Sequence, residues 1–408
     1  MVWLTESDIF AILSKKDFDI RATKNARWID QKCTPDVVCI VSDCIEKYVE
    51  AKGNTQFSSS DIWHYDYTVQ NIEQIFSKPD LNRPTSHNEY DKYFQQPMEL
   101  LSVAGVLLKS KIGNRNYYSV ANYELLSYIA MRERNSLIFL QIYIERVLTD
   151  SGLIDDFEEF YRRPTPETYT NLKTRFEVFT TTYTPINGKT ECRRIFTKII
   201  NPLAFKRRTR GTENGRLSQH SITYDELMYN RDNFRDLYSG KPKGMTRSEY
   251  ATTIGVSPNS TYNGYLVSKA KRFLREFNNK YRDGRSEVRL GPDASSTATH
   301  MHHIFPESRF PEIADKLENI IALSPTQHLN YAHPLNNTQI VDKSYQRDCL
   351  IAKSANIHDN LHGPKDQVIY DFDRFLYVLS IGFSSDDFED IEEMDFAGII
   401  IKINLQYS

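Results

Sequence analysis

Seven of the ten histidines in this 408-residue chain fall between positions 300 and 362. The densest group reads Thr299-His300-Met301-His302-His303-Ile304-Phe305-Pro306. Imidazole is the side chain best suited to move a proton near neutral pH, and as a neutral ring it is also the commonest metal ligand. Asn319 follows His303 by sixteen residues and opens onto the apolar run Ile320-Ile321-Ala322-Leu323, and His328 comes nine residues after Asn319. The pieces around His303 and from Ile320 to Leu323 read as strands. Ser324 as N-cap, Pro325 in the first turn and Gln327 at the capping-box position then start a helix that carries His328. Successive residues on a strand face opposite ways, so His302 and His303 must do different jobs.

This order, with the motif His302-His303-Ile304-x-Pro306 followed by Asn319 and a helix-borne His328, resembles the ββα-metal, or HNH, nuclease finger. Phosphodiester hydrolysis requires an attacking water to lose a proton, and it requires charge on the phosphate and the departing 3′ oxygen to be neutralised; a neutral imidazole suits the first task and a divalent cation the second. The resemblance implies His302 and His328 as metal ligands and His303 as general base. It also implies that the Asn319 amide ties the intervening loop and aims that base, so that His303 and Asn319 form the catalytic pair. His333 is a third candidate ligand; it lies five residues after His328, off the i,i+4 face and just before Pro334, so it ligates only where the last turn is irregular. His300 shares the strand face of His302 and is read as a surface residue. His358 and His362 follow a second helix, carry no motif and are read as structural. The implied ion is catalytic, Mg²⁺ by cellular availability with Mn²⁺ able to substitute. Many such fingers also hold a structural zinc on Cys-x-x-Cys pairs, but Cys33, Cys39, Cys44, Cys192 and Cys349 have no such spacing, so no structural zinc is expected.

The net charge of −3 is not what a DNA-binding protein usually carries, but what matters is where the charges lie along the chain. Arg193, Arg194, Lys198, Lys206, Arg207, Arg208 and Arg210 form a run with no acidic residue among them, and Lys206, Arg207, Arg208 and Arg210 are the candidate phosphate contacts. A second basic stretch, from Lys269 to Arg289, leads into the finger, while acids gather in Asp386-Asp387-Phe388-Glu389-Asp390. Segregated charge of this kind can bind a polyanion despite a near-neutral total. No apolar run is long enough to span a bilayer, the start lacks a signal-peptide layout, and the sparse cysteines fit a reducing compartment. The expected location is a bacterial cytoplasm, with no membrane partner.

Upstream, Thr34-Pro35 opens an amphipathic helix that Gly53 closes, and the stretch Asp30 to Val37 resembles one near the N-terminus of a number of restriction endonucleases. Pro35-Asp36 with Glu50-Ala51-Lys52 also mimics the PD-(D/E)xK nuclease signature. That site needs its Glu and Lys on a strand, whereas the pattern here is helical, so Asp36 is read as a helix N-terminal charge. Asp61 to Phe76 reads as helical, Met98 to Leu108 as an apolar helix, and Lys111 to Val120 as a hairpin turning at Gly113-Asn114. Helices followed by a basic hairpin point to a winged helix, with Lys111 and Arg115 on the wing as further DNA contacts. Phe139 to Leu148 and the aromatic-rich region to Tyr183 read as helical core.

The expected fold is α+β: a mainly helical multidomain chain with a winged-helix-like recognition region at 1–135, a helical, basic DNA-contacting region at 136–284, the HNH module at 285–362 and an acidic helical tail at 363–408. The function expected from the resemblance is a type II restriction endonuclease. It would cut double-stranded DNA site-specifically through one metal to leave 5′-phosphate and 3′-OH ends, with separate modules suiting a type IIS enzyme. Its expected partners are double-stranded DNA, a cognate DNA methyltransferase as genetic partner and a transient homodimer on the DNA. The alternatives are another HNH nuclease, homing or modification-dependent, and a non-catalytic DNA-binding protein.

Overall fold

The computed structural model describes residues 4–75, 87–229, 260–289, 296–332, 341–388 and 390–407. The chain is mainly helical, with three two-stranded antiparallel sheets among the described residues, and it divides into two compact units, Met1–Ser257 and Pro258–Ser408. No helix among the described residues is long and apolar enough to cross a membrane.

The first unit runs α1 (Glu6–Leu13), α2 (Ile20–Thr23), α3 (Pro35–Lys52), α4 (Ser59–Trp63), α5 (Asp66–Ile75), α6 (His87–Val103), β1 (Leu107–Ile112), β2 (Arg115–Val120) and α7 (Tyr123–Met131). It continues with α8 (Glu133–Asp150), α9 (Ile154–Arg162), α10 (Pro166–Tyr183), α11 (Lys189–Lys206), β3 (Arg210–Glu213) and β4 (Arg216–Ser221). Helix α3 starts at Pro35 and stops at Gly53, whose φ of 78° few other residues adopt without strain. It is buried on nearly every side rather than along one stripe, because α6, α7 and α8 all pack on it. The apolar run from Met98 to Leu108 is not one helix. Its helix ends at Val103, Gly105 takes φ 81°, and the amides of Gly105 and Val106 return to the carbonyls of Ser102 and Leu101, a Schellman stop that frees Leu107 to begin β1. The two-residue turn at Gly113-Asn114 pairs Ile112 with Arg115 as expected. Phe57 bridges Tyr118, adding a third extended segment at the edge of β2.

The second unit contains α12 (Ser260–Tyr281), β5 (His300–His303), β6 (Ile320–Leu323), α13 (Lys343–Leu361), α14 (Phe372–Phe383) and α15 (Phe396–Leu405). All four residues of β6 are buried, since α12 covers the hairpin through Phe273, Leu274 and Phe277. The boundary read at 135/136 falls inside α8, which packs on α1, α3 and α7, so the helices after residue 136 share a core with those before it. Residues after 362 are likewise no separate tail. Helix α15 packs on α13, and α14 is fastened to the turn before β6 by Glu318, which accepts the Asp371 amide at 3.0 Å.

Candidate active site on the β5–β6 hairpin

In the β5–β6 register His302 lies opposite Ile321 and His303 opposite Ile320, so the two histidines project to opposite faces. The ring of His302 meets that of His328 edge-on, with centroids 5.3 Å apart and planes at 77°. Two imidazoles sharing one tetrahedral ion at metal–nitrogen distances of about 2.0–2.1 Å have centroids roughly 5 Å apart, a separation comparable to that of this pair. His300 stacks on His328 at 4.6 Å and 19°, packing against that ring rather than standing apart on the surface. Among the described residues no set of three or more His, Cys, Asp and Glu side chains is placed to hold an ion.

Ser324 and Gln327 close the expected capping box: the Gln327 amide donates to Ser324 Oγ at 3.2 Å and the Ser324 amide to Gln327 Oε1 at 3.0 Å. From Gln327 to Ala332, however, the helix is π-type. Its hydrogen bonds run from i to i+5, and a residue five positions on turns back toward the starting face. His333, the third candidate ligand, lies outside the described residues.

His303 is buried on the opposite face of the hairpin. Its Nε2 donates to the Ala314 carbonyl at 2.9 Å, which leaves the lone pair on Nδ1, and Glu307 Oε2 lies 3.7 Å from that nitrogen. Burial and the nearby Lys271 ammonium hold its pKa below the ordinary imidazole range, against the opposing pull of Ala314 and Glu307. A neutral ring with a fixed tautomer and a lone pair turned away from its anchor is in the state a proton acceptor requires. Lys271, on α12, reads in the sequence only as part of a basic stretch, and the fold brings it to His303; Glu307 is a near neighbour in sequence, four residues on.

Asn319 has the positioning geometry expected of it. Fully buried, it accepts the Phe305 amide at 2.8 Å and donates to the carbonyls of Phe305 and Ile313 at 3.0 and 3.2 Å. It thereby clamps both ends of the loop that carries Ala314. Beneath the hairpin Glu287, also fully buried on its side chain, accepts the Ala322 amide at 2.9 Å and pairs with Lys353 at 2.8 Å and Arg282 at 3.0 Å. Burial alone would raise this carboxyl, but the two cations and the Ala322 amide outweigh it and hold the pKa below the usual range.

The candidate DNA contacts in the first unit fare unequally. Lys206 pairs with Glu145 at 3.0 Å, and Arg207 is held by Glu145 and Glu158 over the Tyr161 ring. Arg210 donates to the Ser218 carbonyl at 2.6 Å within the β3–β4 hairpin. Three of the four are thus engaged in intrachain contacts that charge counting cannot reveal; Arg208, at φ 50°, is exposed. The Asn214-Gly215 dipeptide, with φ of 50° and 77°, is the turn signal that marked β3–β4 and was passed over. Lys111 and Arg115 lie exposed at the tip of β1–β2, whereas Lys109 and Tyr118 both meet Glu99 of α6 at 2.6 Å. Asp36 is a buried acceptor, bonded through both oxygens to the Tyr229 amide at 2.9 Å and pushed up in pKa by its burial, rather than a solvated helix-end charge. Glu50 lies fourteen residues along α3 from it, roughly 21 Å at 1.5 Å per residue, too far to converge on one ion.

No known family model matches this chain, and no curated protein or solved structure matches it.

Proposed function

We propose that the protein is a metal-dependent DNA endonuclease of the HNH type, acting as a type II restriction enzyme. The observation that supports this reading is where the three histidines lie: the rings of His302 and His328 meet with centroids 5.3 Å apart, while His303 is on the opposite strand face with its Nε2 anchored on Ala314. A divalent ion held by His302 and His328 would neutralise charge building on the scissile phosphate and the departing 3′ oxygen. Mg²⁺ is the proposed cellular ion, with Mn²⁺ able to substitute, and His333 is the proposed third ligand. His303 Nδ1 takes the proton of the attacking water, leaving 5′-phosphate and 3′-OH ends. Asn319 keeps that nitrogen aimed, and burial, aided by Lys271, keeps the ring neutral.

The first unit supplies the proposed DNA reader. Helix α3, the Phe57 bridge, α4 and α5, then α6 and the β1–β2 hairpin follow the element order of a winged helix, in which α6 would enter the major groove and the hairpin would be the wing. Asn88, Lys92 and Gln95 are exposed on α6, and amide side chains of this kind can read adenine edges. Lys111, Arg115 and Arg208 are the proposed phosphate contacts. A recognition unit and a cleavage unit in one chain suit a type IIS enzyme that cuts beside its site in the cytoplasm, protected by a cognate methyltransferase. One site cuts one strand, so a double-strand break calls for a transient dimer on the DNA.

The test is digestion of an unmethylated plasmid with Mg²⁺, followed by sequencing of the ends. The wild type is expected to give discrete ends, and His303→Ala to lose about 10²–10⁴ in single-turnover rate, the scale of positioned acid–base catalysis, while still binding the duplex. Cleavage by His303→Ala at the wild-type rate, or full activity in excess chelator, overturns the mechanism.

A further inference from the structure

His358 and His362 stand one helical turn apart at the C-terminal end of α13, His362 being the C-cap residue with φ −91° and ψ −4°. Their ring centroids are 4.3 Å apart and their planes tilted by 37°. The two rings are anchored in the same way. His358 Nδ1 lies 3.3 Å from Asp359 Oδ1, and His362 Nδ1 lies 2.9 Å from the His358 carbonyl oxygen. Both acceptors call for a proton on Nδ1, so each neutral ring carries its lone pair on Nε2. The His358 ring is further oriented edge-on against Phe396, at 5.2 Å and 88°. Its side chain remains 48 % exposed, so an ion can reach it without any opening of the fold.

We infer that His358 and His362 form a second metal site, distinct from the β5–β6 hairpin, that takes a borderline divalent transition ion such as Zn²⁺, Ni²⁺ or Cu²⁺ through the two Nε2 atoms. Histidines at i and i+4 present both ligands on one helix face, the spacing that helical metal motifs use. Each ring has the outer partner that fixes the ligating tautomer, a carboxylate for one and a backbone carbonyl for the other. The last turn of a helix also carries partial negative charge, which favours a bound cation. Two imidazoles select for ions high in the Irving–Williams order, and water completes the shell. Mg²⁺, which prefers oxygen ligands, is held far more weakly here, where no substrate phosphate oxygen completes its shell as it would at the hairpin. The inference is independent of the nuclease reading and stands whether or not the chain cuts DNA.

The experiment is calorimetric titration of the full chain with Ni²⁺ at pH 7.5, in a His302→Ala/His328→Ala background that silences the hairpin. One ion per chain is expected to bind, and to raise the melting temperature because it binds only the folded helix end. Adding His358→Asn or His362→Asn should weaken binding by at least about tenfold, the lower end of the loss caused by removing even an outer partner. Both histidines lie at the exposed end of the helix, so the variants should stay folded, and each is compared with its own metal-free melting temperature. Failure of the background protein to bind Ni²⁺, or unchanged affinity after either substitution, overturns the site. Equal retention of Mg²⁺ overturns its proposed selectivity.

Discussion

Replacing Asn319 by Ala removes three hydrogen bonds from a side chain with no solvent exposure. The losses are unequal. The Ile313 carbonyl still receives the Lys316 amide at 3.2 Å, so most of the cost falls on the Phe305 amide and carbonyl, buried with their residue. A buried polar group left unsatisfied costs about 1–3 kcal/mol, which puts Asn319→Ala at roughly 2–5 kcal/mol. For a unit the size of Pro258–Ser408 that is a fall in melting temperature of roughly 5–15 °C. Asn319→Asp separates geometry from size. Its carboxylate can still accept the Phe305 amide, but it faces two carbonyl oxygens to which it has no proton to donate. It should therefore be at least as destabilised at pH 7, and recover in part once acid protonates it. The assay is thermal unfolding by circular dichroism across pH, paired with single-turnover cleavage at a temperature where the variant is fully folded. The clamped loop carries the Ala314 carbonyl that anchors His303, so the rate should fall further than the folded fraction. A melting temperature within about 1 °C of wild type would refute the clamp energetics. A wild-type rate from the folded variant would refute its part in aiming the base.

Glu287 has a depressed pKa in the fold, so its stabilisation is present above the unfolded value near 4.5 and is lost as the pH falls through the lower folded value. Glu287→Gln should cost about 3–5 kcal/mol at pH 7, because Lys353 and Arg282 then lose their buried counter-charge, and it should flatten the acid limb of the melting curve; a parallel limb would place the titration elsewhere. Gly382→Ala sets two effects against each other. Helix propensity favours Ala by about 1 kcal/mol, but the added methyl would stand 2.3 Å from the Phe305 ring, so differential scanning calorimetry should find net destabilisation of about 1–3 kcal/mol, and a stabilised variant would refute the close packing. Arg208→Ala should flatten the salt dependence of DNA binding by up to about 0.9 in slope without changing the melting temperature. Arg207→Ala, whose guanidinium is held by two glutamates, should lower the melting temperature and leave the slope unchanged; the reverse pattern in titrations over several salt concentrations would exchange their roles.

The features readable in advance were those governed by neighbours in sequence. Ser324 and Gln327 lie three residues apart, and their capping box forms as read. Pro35 and Gly53 bound α3, and Gly113-Asn114 turns the β1–β2 hairpin, because each exerts its effect through backbone dihedrals that depend on little else. The opposed faces of His302 and His303 follow from strand alternation alone.

What could not be read depends on charges meeting across long stretches of chain. Arg207 counts as one more cation in a basic run until Glu145, 62 residues earlier, and Glu158, 49 residues earlier, are folded against it. Glu287 and Lys353 are separated by 66 residues, and neither alone announces that it will be buried. The same network explains why residues after 362 belong with the hairpin and not beyond it. Tyr370 accepts a bond from Lys353 at 3.0 Å, Asp371 is tied to Glu318, and Gly382 admits the Phe305 ring. Glu318 and Phe305 lie within two residues of Asn319 and His303, and Lys353 pairs with the Glu287 that holds β6. The C-terminal helices therefore act on the hairpin's geometry, although none of their residues takes part in its proposed chemistry.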